Sequence, residues 1–345
     1  MVNLTTMRAA LPAFTNDSQG FVAVFVGGTS GIGEAAVKAF AKWAMGAKAY
    51  VVGRNPASAA QTLAACRALS PSSTFEFIQQ DIVLLKDVDM VCSRIAEAES
   101  KVDLLYMTPD IPTFSGRCPP ETEEHIDRLM SLRYYGRMRF IHNLLPLLER
   151  ALTPRVVSVF GPKKFEYGLN LDDLGLKEHY GNIAAYSHCS LMNTLCMEEY
   201  AARHPAVSFV HVYPGLVLTT NVISGNLPWI VRKLIQWAIY PMLYLFAQSY
   251  DEAGDRMMFI SLSASLPPRS MDGDGSATML PCSAETAVLV GSEDTLGSGN
   301  YCVDWKANRM NNSANMNKLR LQGARERVWE HTLGMFGSID DSTTY

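Results

Sequence analysis

Phe21-Val-Ala-Val-Phe-Val26 runs straight into Gly27-Gly-Thr-Ser-Gly31-Ile-Gly33, and residues 34–43 then repeat their apolar members at helical spacing. Six apolar residues in a row suit a strand covered on both faces, as in the middle of a parallel sheet. The glycines behind it allow a tight turn and a close approach of backbone to a phosphate. The N-terminus of the following helix adds unpaired N–H groups and the positive end of its dipole. A glycine-rich turn can also do no more than join a strand to a helix. Here the spacing, the strand before and the helix after agree. They mark Gly27, Thr29, Ser30, Gly31, Ile32 and Gly33 as the cradle of a dinucleotide pyrophosphate.

The alternation continues outward from that stretch. Residues 49–52 read as a second strand closed by Gly53-Arg-Asn-Pro56, followed by helix 57–69, strand 74–78, helix 87–98 and strand 102–106. A long helix ends in Asn143-Leu-Leu-Pro-Leu-Leu148, and strand 155–160, helix 185–203 and strand 207–212 complete the run. Strand and helix alternating this regularly predict an α/β fold, a doubly wound parallel sheet (Rossmann fold) in three α/β/α layers. The expected organisation is a polar leader over 1–20 and one Rossmann domain over 21–262, with a lid near 221–248. An exposed Pro-, Gly- and Ser-rich loop over 263–286 and a C-terminal extension over 287–345 follow. In that extension a strand signal at 287–290, a Gly-rich turn and a final helix near 319–336 are expected to pack back on the same sheet.

At 345 residues and 48% hydrophobic, the chain can bury a large core. The formal net charge is −4 with acidic and basic residues scattered, which argues against the basic stripe of a nucleic-acid surface. Seven cysteines without a Cys-x-x-Cys pair read as reduced thiols of a cytoplasmic protein, neither a disulfide framework nor a zinc site. No metal is expected, because Asp172-Asp173 comes without a histidine or third carboxylate at ligand spacing. The first twenty residues lack the apolar core of a signal peptide. The apolar segment over 227–247 is interrupted by Arg232, Lys233, Gln236 and Pro241. It falls short of the ~20 residues a span needs, so no transmembrane segment is expected. Shallow membrane-surface contact is the lesser reading.

Val26-Gly-Gly-Thr-Ser-Gly-Ile-Gly33 resembles the Thr-Gly-x-x-x-Gly-x-Gly loop of the short-chain dehydrogenase/reductase superfamily, with valine in place of the threonine. The resemblance covers about 21–262 and implies a nicotinamide cofactor. After its second strand the family carries an acidic residue for NAD, or a basic one where the ribose bears a 2′-phosphate. Arg54, beside Asn55 and with Ser30 in the loop, implies NADP(H), since a guanidinium pairs a phosphate bidentately. A solvated charge at a strand end is the competing reading of Arg54. Asp81-Ile82 resembles the family's adenine contact, and Thr108 falls in the turn after the fourth strand. Pro214-Gly215-x-Val217-x-Thr219 resembles the segment whose threonine holds the nicotinamide amide.

The family places a tyrosine and, four residues later, a lysine on the helix after its fifth strand. A serine ends that strand and an asparagine sits on the preceding helix. The tyrosine exchanges a proton with the substrate oxygen as hydride moves. Asn170-Leu-Asp-Asp-Leu174 and Ala185-Tyr-Ser-His-Cys-Ser-Leu-Met-Asn193 are similar to the retinol- and protochlorophyllide-reductase branch. That similarity puts Tyr186 at the catalytic tyrosine and Ser190 at the lysine. Gly161 falls at the serine, Arg133 near the asparagine, and Ser158 is expected to be structural. An unperturbed phenol is only ~0.1% ionised at pH 7. The missing ammonium, about 4 Å away at an effective dielectric of 20, would supply roughly 4 kcal/mol, or about three pKa units. Tyr186 is thus a poor base and still a competent acid, so reduction survives the loss better than oxidation. His188, Lys163, Lys164, Tyr134, Tyr135 and Tyr180 are weaker candidates, each read first as a packing or surface residue.

Trp229, Trp237, Tyr240, Tyr244 and Phe246 lie where the family forms its substrate lid, which implies a small-molecule, bulky, apolar substrate. Completing a core or an oligomer interface is an equal reading of the same residues. The chain also resembles divergent fungal members, many of which serve secondary metabolism. Taken together, the resemblance implies an NADPH-dependent reductase of a carbonyl, imine or enone, and a homo-oligomer. The departures at Arg133, Gly161 and Ser190 keep two alternatives open: a cyclase, isomerase or dehydratase on the same scaffold, or a catalytically silent NADP(H)-binding protein.

Overall fold

The computed structural model describes residues 2–111, 121–163, 166–217, 233, 237, 247–269, 287–310 and 314–342. At its centre is the strand quoted first. β1 (Val22–Val26) is buried at every residue and pairs in parallel with β2 (Lys48–Gly53) and β4 (Leu104–Met107). β3 (Thr74–Gln79) lies beyond β2, while β5 (Arg155–Val159), β6 (Ser208–Tyr213) and β7 (Asn300–Asp304) lie beyond β4. The order β3-β2-β1-β4-β5-β6-β7 is parallel throughout and reverses direction at β1. In open α/β sheets the crevice outside the carboxyl ends of the strands, at such a reversal, is where ligands bind.

Helices cover both faces, giving the expected three layers. α1 (Leu4–Ala10), α2 (Pro12–Asp17), α3 (Gly31–Trp43), α4 (Pro56–Leu69) and α9 (Tyr250–Leu262) share one face. α5 (Leu85–Ala98), α7 (Gly136–Leu148) and α8 (Asn182–Arg203) share the other. Just before α7, the short α6 (Arg128–Met130) leads into a π-helical turn, Ser131–Tyr135. Such turns insert an extra residue into a helix and are frequent at functional sites. Arg155, buried at the start of β5, clamps the far end of α9: its Nη1 donates to Ile260 O (3.0 Å) and Ser263 O (2.8 Å), and its Nη2 to Leu266 O (2.6 Å).

The structure departs from expectation at both ends of the chain. Residues 4–17, expected within a polar leader, form α1 and α2 because Met7, Leu11 and Phe14 make an apolar stripe that is buried against α3 and α9. The last strand is Asn300–Asp304; at 287–290 only Val290 pairs, in an isolated bridge to Leu296. The expected final helix is two, α10 (Ala314–Leu321) and α11 (Ala324–Ser342). Gly323 separates them with a left-handed φ of +71°, the conformation that commonly ends helices. α11 packs along α8, and its Asp340 pairs with Arg139 of α7. Thr219, nearly all of the lid segment 221–248, and residues 270–286 of the expected loop lie outside the described residues. Among the described residues no helix is long and apolar enough to cross a membrane.

Candidate active site

A cleft of about 360 Å³ opens at the carboxyl ends of the strands. The glycine turn forms one wall. Thr108 Oγ1 donates to the carbonyls of Val26 and Gly27, both at 3.3 Å, tying that turn to the end of β4. A Cβ on Gly33 would stand 2.2 Å from the Gly27 carbonyl oxygen, so α3 meets the turn backbone to backbone. Ser30 is the N-cap of α3, and the first turn of this thirteen-residue helix faces the cleft. Its unpaired N–H groups and dipole suit an anion.

Of the residues expected to hold a cofactor, Gly27, Thr29, Ser30, Gly31, Ile32, Gly33, Arg54, Asp81, Ile82, Thr108 and Pro214 line this single cleft. Asn55 does not. Its Oδ1 accepts the N–H groups of Ala57 (3.0 Å) and Ser58 (3.2 Å) and so caps α4. Gly215 and Val217 are not part of the cleft wall, Val217 being buried and bridged to Gln248. Arg54 is exposed and has no hydrogen-bond or ion-pair partner among the described residues. A cradle that a single Cβ would close, beside a helix N-terminus that faces the cleft, fits a dinucleotide.

Tyr186 lines the same cleft. Its ring packs on Phe160 with centroids 4.5 Å apart, and the Arg133 guanidinium lies 5.7 Å and 5.8 Å from the two ring centres. Arg133 is itself held: Nε donates to Asp110 Oδ1 (2.5 Å) and Nη2 to Ile111 O (3.1 Å). Its carbonyl, inside the π-helical turn, accepts Asn193 Nδ2 (2.9 Å). Burial pushes the Tyr186 phenol up to about 12, with Asp110 adding to the shift and Arg133 opposing it.

Ser190, Gly161 and Ser158 are held on the elements that carry this tyrosine and Phe160. Ser190, buried, donates through Oγ to the Gly161 carbonyl at 2.8 Å. A Cβ on Gly161 would fall 2.1 Å from the Tyr186 hydroxyl. Ser158 is buried; its Oγ donates to Asn193 Oδ1 (3.1 Å) and accepts Arg137 Nη1 (2.8 Å). Arg137 also donates to Val159 O and Pro109 O, both at 2.8 Å. Burial lowers this guanidinium to about 10, which leaves it cationic at neutral pH.

The weaker candidates are engaged elsewhere. His188 Nε2 accepts the N–H of Asn170 at 3.1 Å, and burial lowers the imidazole's pKa. Lys163 is no surface lysine: it is partly buried and donates through Nζ to Met310 O at 2.6 Å. Lys164 lies outside the described residues. Tyr134 and Tyr135 are buried and share hydrogen bonds with Thr332 Oγ1 (2.5 Å) and His331 Nε2 (2.7 Å) of α11. Tyr180 is not part of the cleft wall. Asp173 accepts the N–H groups of Lys177, Glu178 and His179 and so shapes a loop. Among the described residues no group of three or more His, Cys, Asp or Glu is placed to hold a metal ion.

Sequence reasoning did not select Gln80, Pro109, Asp110 or Phe160, all of which line the cleft. Each stands just past the carboxyl end of a strand, β3, β4 or β5. That position was itself the available signal.

A family model described as short chain dehydrogenase matches residues 21–166. An oxidoreductase of Emericella nidulans is 39% identical, over 96% of this chain and 97% of its own length. A short-chain dehydrogenase/reductase of Stachybotrys chartarum is 30% identical, over 98% of each chain. The solved L-sorbose reductase of Gluconobacter frateurii, complexed with NADPH and L-sorbose, shares the fold with a TM-score of 0.52 at 17% identity, over 71% of this chain and 90% of that one. The parallel sheet that reverses at β1, the glycine turn that follows β1, and sequence similarity along nearly the whole length lead to one assignment: this chain belongs to the short-chain dehydrogenase/reductase superfamily.

Proposed function

We propose that the chain is an NADPH-dependent reductase of a bulky, apolar carbonyl, imine or enone, with Tyr186 as its proton donor. The observation that carries this reading is that Tyr186, the glycine turn and Arg54 line one cleft. A reduced nicotinamide dinucleotide bound there supplies the hydride. The chain's own residues do the rest. The first turn of α3 would hold the pyrophosphate, Arg54 the 2′-phosphate, and Asp81 with Ile82 the adenine. The neutral Tyr186 phenol gives its proton to the substrate heteroatom, and Arg133 offsets the negative charge left on the ring oxygen.

Two similar fungal proteins bear the names oxidoreductase and short-chain dehydrogenase/reductase, which supports the reaction class. The L-sorbose reductase of the same fold was solved with NADPH, which supports the cofactor. The substrate class rests on the aromatic composition of 229–246, and a role in secondary metabolism on the fungal source of the relatives. Cys66, Cys92, Cys189, Cys196 and Cys302 are buried free thiols, in keeping with a cytoplasmic setting.

Titration with NADPH and with NADH, for the wild type and Arg54→Ala, tests the reading. A charge-assisted hydrogen bond contributes about 1.5–3 kcal/mol, so the variant should lose about ten- to a hundredfold in NADPH affinity. Its NADH affinity should hardly change. Equal losses for both nucleotides would remove the 2′-phosphate role. Binding of neither by the wild type would leave a cofactor-independent cyclase or isomerase.

A further inference from the structure

The departures at 133, 161 and 190 form one interlocked group around Tyr186. Ser190 Oγ pins the Gly161 carbonyl at 2.8 Å, fixing that backbone from the helix that carries the tyrosine. The Tyr186 hydroxyl then occupies the space over Gly161, where an added Cβ would lie 2.1 Å from Oη and 3.1 Å from Cζ. Phe160 lies against one side of the ring, and the Arg133 guanidinium approaches both aromatic rings. Asp110 holds that guanidinium, and Asn193 holds the carbonyl of Arg133.

We propose that Gly161 is a positioning residue for Tyr186, so that any side chain at 161, serine included, expels the phenol from its seat and lowers activity. The proposal rests on the reductase reading for its catalytic meaning, while the packing it invokes can be measured without a substrate. In the reduction it serves, hydride adds to the electrophilic carbon of the substrate, the Tyr186 O–H bond breaks, and that proton bonds to the heteroatom. Solvent returns a proton to the phenolate. A glycine at 161 keeps Oη at the depth from which this transfer starts.

The experiment compares wild type, Gly161→Ser, Gly161→Ala, Tyr186→Phe and Gly161→Ala/Tyr186→Phe. Thermal unfolding should show Gly161→Ala below wild type, because the displaced Tyr186 ring gives up its packing on Phe160. In the Tyr186→Phe background the same change should cost little. The 2.1 Å conflict disappears with the hydroxyl, and a shift of a few tenths of an ångström relieves the rest. Phenolate absorbance, taken as the difference from the matching Tyr186→Phe protein, reports the ionisation of Tyr186 itself. It should be absent below about pH 11 in wild type and appear near 10, the value of a solvated phenol, in Gly161→Ser. Wild-type unfolding and wild-type phenol ionisation in Gly161→Ser would overturn the proposal, as would an equal cost of Gly161→Ala in both backgrounds. Failure of the wild type to bind NADPH would instead remove the reductase reading, and the unfolding and absorbance results would still decide the packing.

Discussion

At Tyr186 the direction of one pKa shift decides which half of a redox reaction the side chain can serve. Burial raises the phenol to about 12, and no ammonium stands at 190 to bring it down. At pH 7 the phenolate is then about one part in 10⁵, too scarce for a base, whereas the protonated donor is fully populated. A donor is active below its pKa and lost as pH rises through it. Reduction should therefore be flat from about pH 6 to 10 in pre-steady-state hydride transfer, and Tyr186→Phe should slow it by ~10²–10⁴. A descending limb near neutrality, or an unchanged rate in the variant, would assign the proton to another group. Arg133 and Asp110 bear on the same residue with opposite sign, the guanidinium favouring the phenolate and the carboxylate opposing it. Their pairing was not legible in the sequence. The two residues are 23 positions apart, and Arg133 lies in a π-helical turn that the sequence did not announce.

The element that decides the fold is β1 with its turn and α3, where Gly33 lets backbone pack on backbone. The atom nearest to an added Cβ at Gly33 is the backbone oxygen of Gly27, 2.2 Å away, which cannot rotate aside as a side chain would. Gly33→Ala should cost about 1–3 kcal/mol in stability and lower nucleotide affinity by about tenfold or more. Thermal unfolding with and without NADPH measures both, and a wild-type result would mean that α3 stands off from the turn. The first six strands were legible as short, mainly apolar stretches that alternate regularly with helical segments. β7 was not, since Gly297 and Gly299 place it immediately after a turn and leave only Tyr301-Cys-Val303 as its apolar run. α1 and α2 were missed for another reason: Met7, Leu11 and Phe14 are too few to show a period until α3 and α9 are there to receive them. The cleft followed the same rule. Strand-end residues that matched a family motif, such as Arg54, Asp81 and Thr108, were found, and those that matched none, Gln80, Asp110 and Phe160, were not.

On the scale of the whole molecule, the C-terminal helices act on the catalytic side of the sheet. α11 covers α8 through Trp329, whose ring meets Tyr200 edge-on at 4.9 Å, and through Arg325, which pairs with Glu199 at 2.9 Å. Two consecutive residues of α11, His331 and Thr332, hold the two tyrosines of the π-helical turn that carries Arg133. Truncation after Gly323 should uncover the apolar side of α8 and leave both phenols without these partners. The shortened chain should unfold at a lower temperature and self-associate in light scattering. A monodisperse chain of unchanged Tm would mean that α11 contributes nothing to that side. The same tether has a consequence in time. Tyr135 and His331 are separated by 196 residues, which a ribosome adding 5–20 residues per second needs roughly ten to forty seconds to supply. During that interval the nucleotide half of the sheet, β1 to β4, can already be assembled on the nascent chain. The turn bearing Arg133 has also been synthesised by then, but it gains its partners only when α11 arrives.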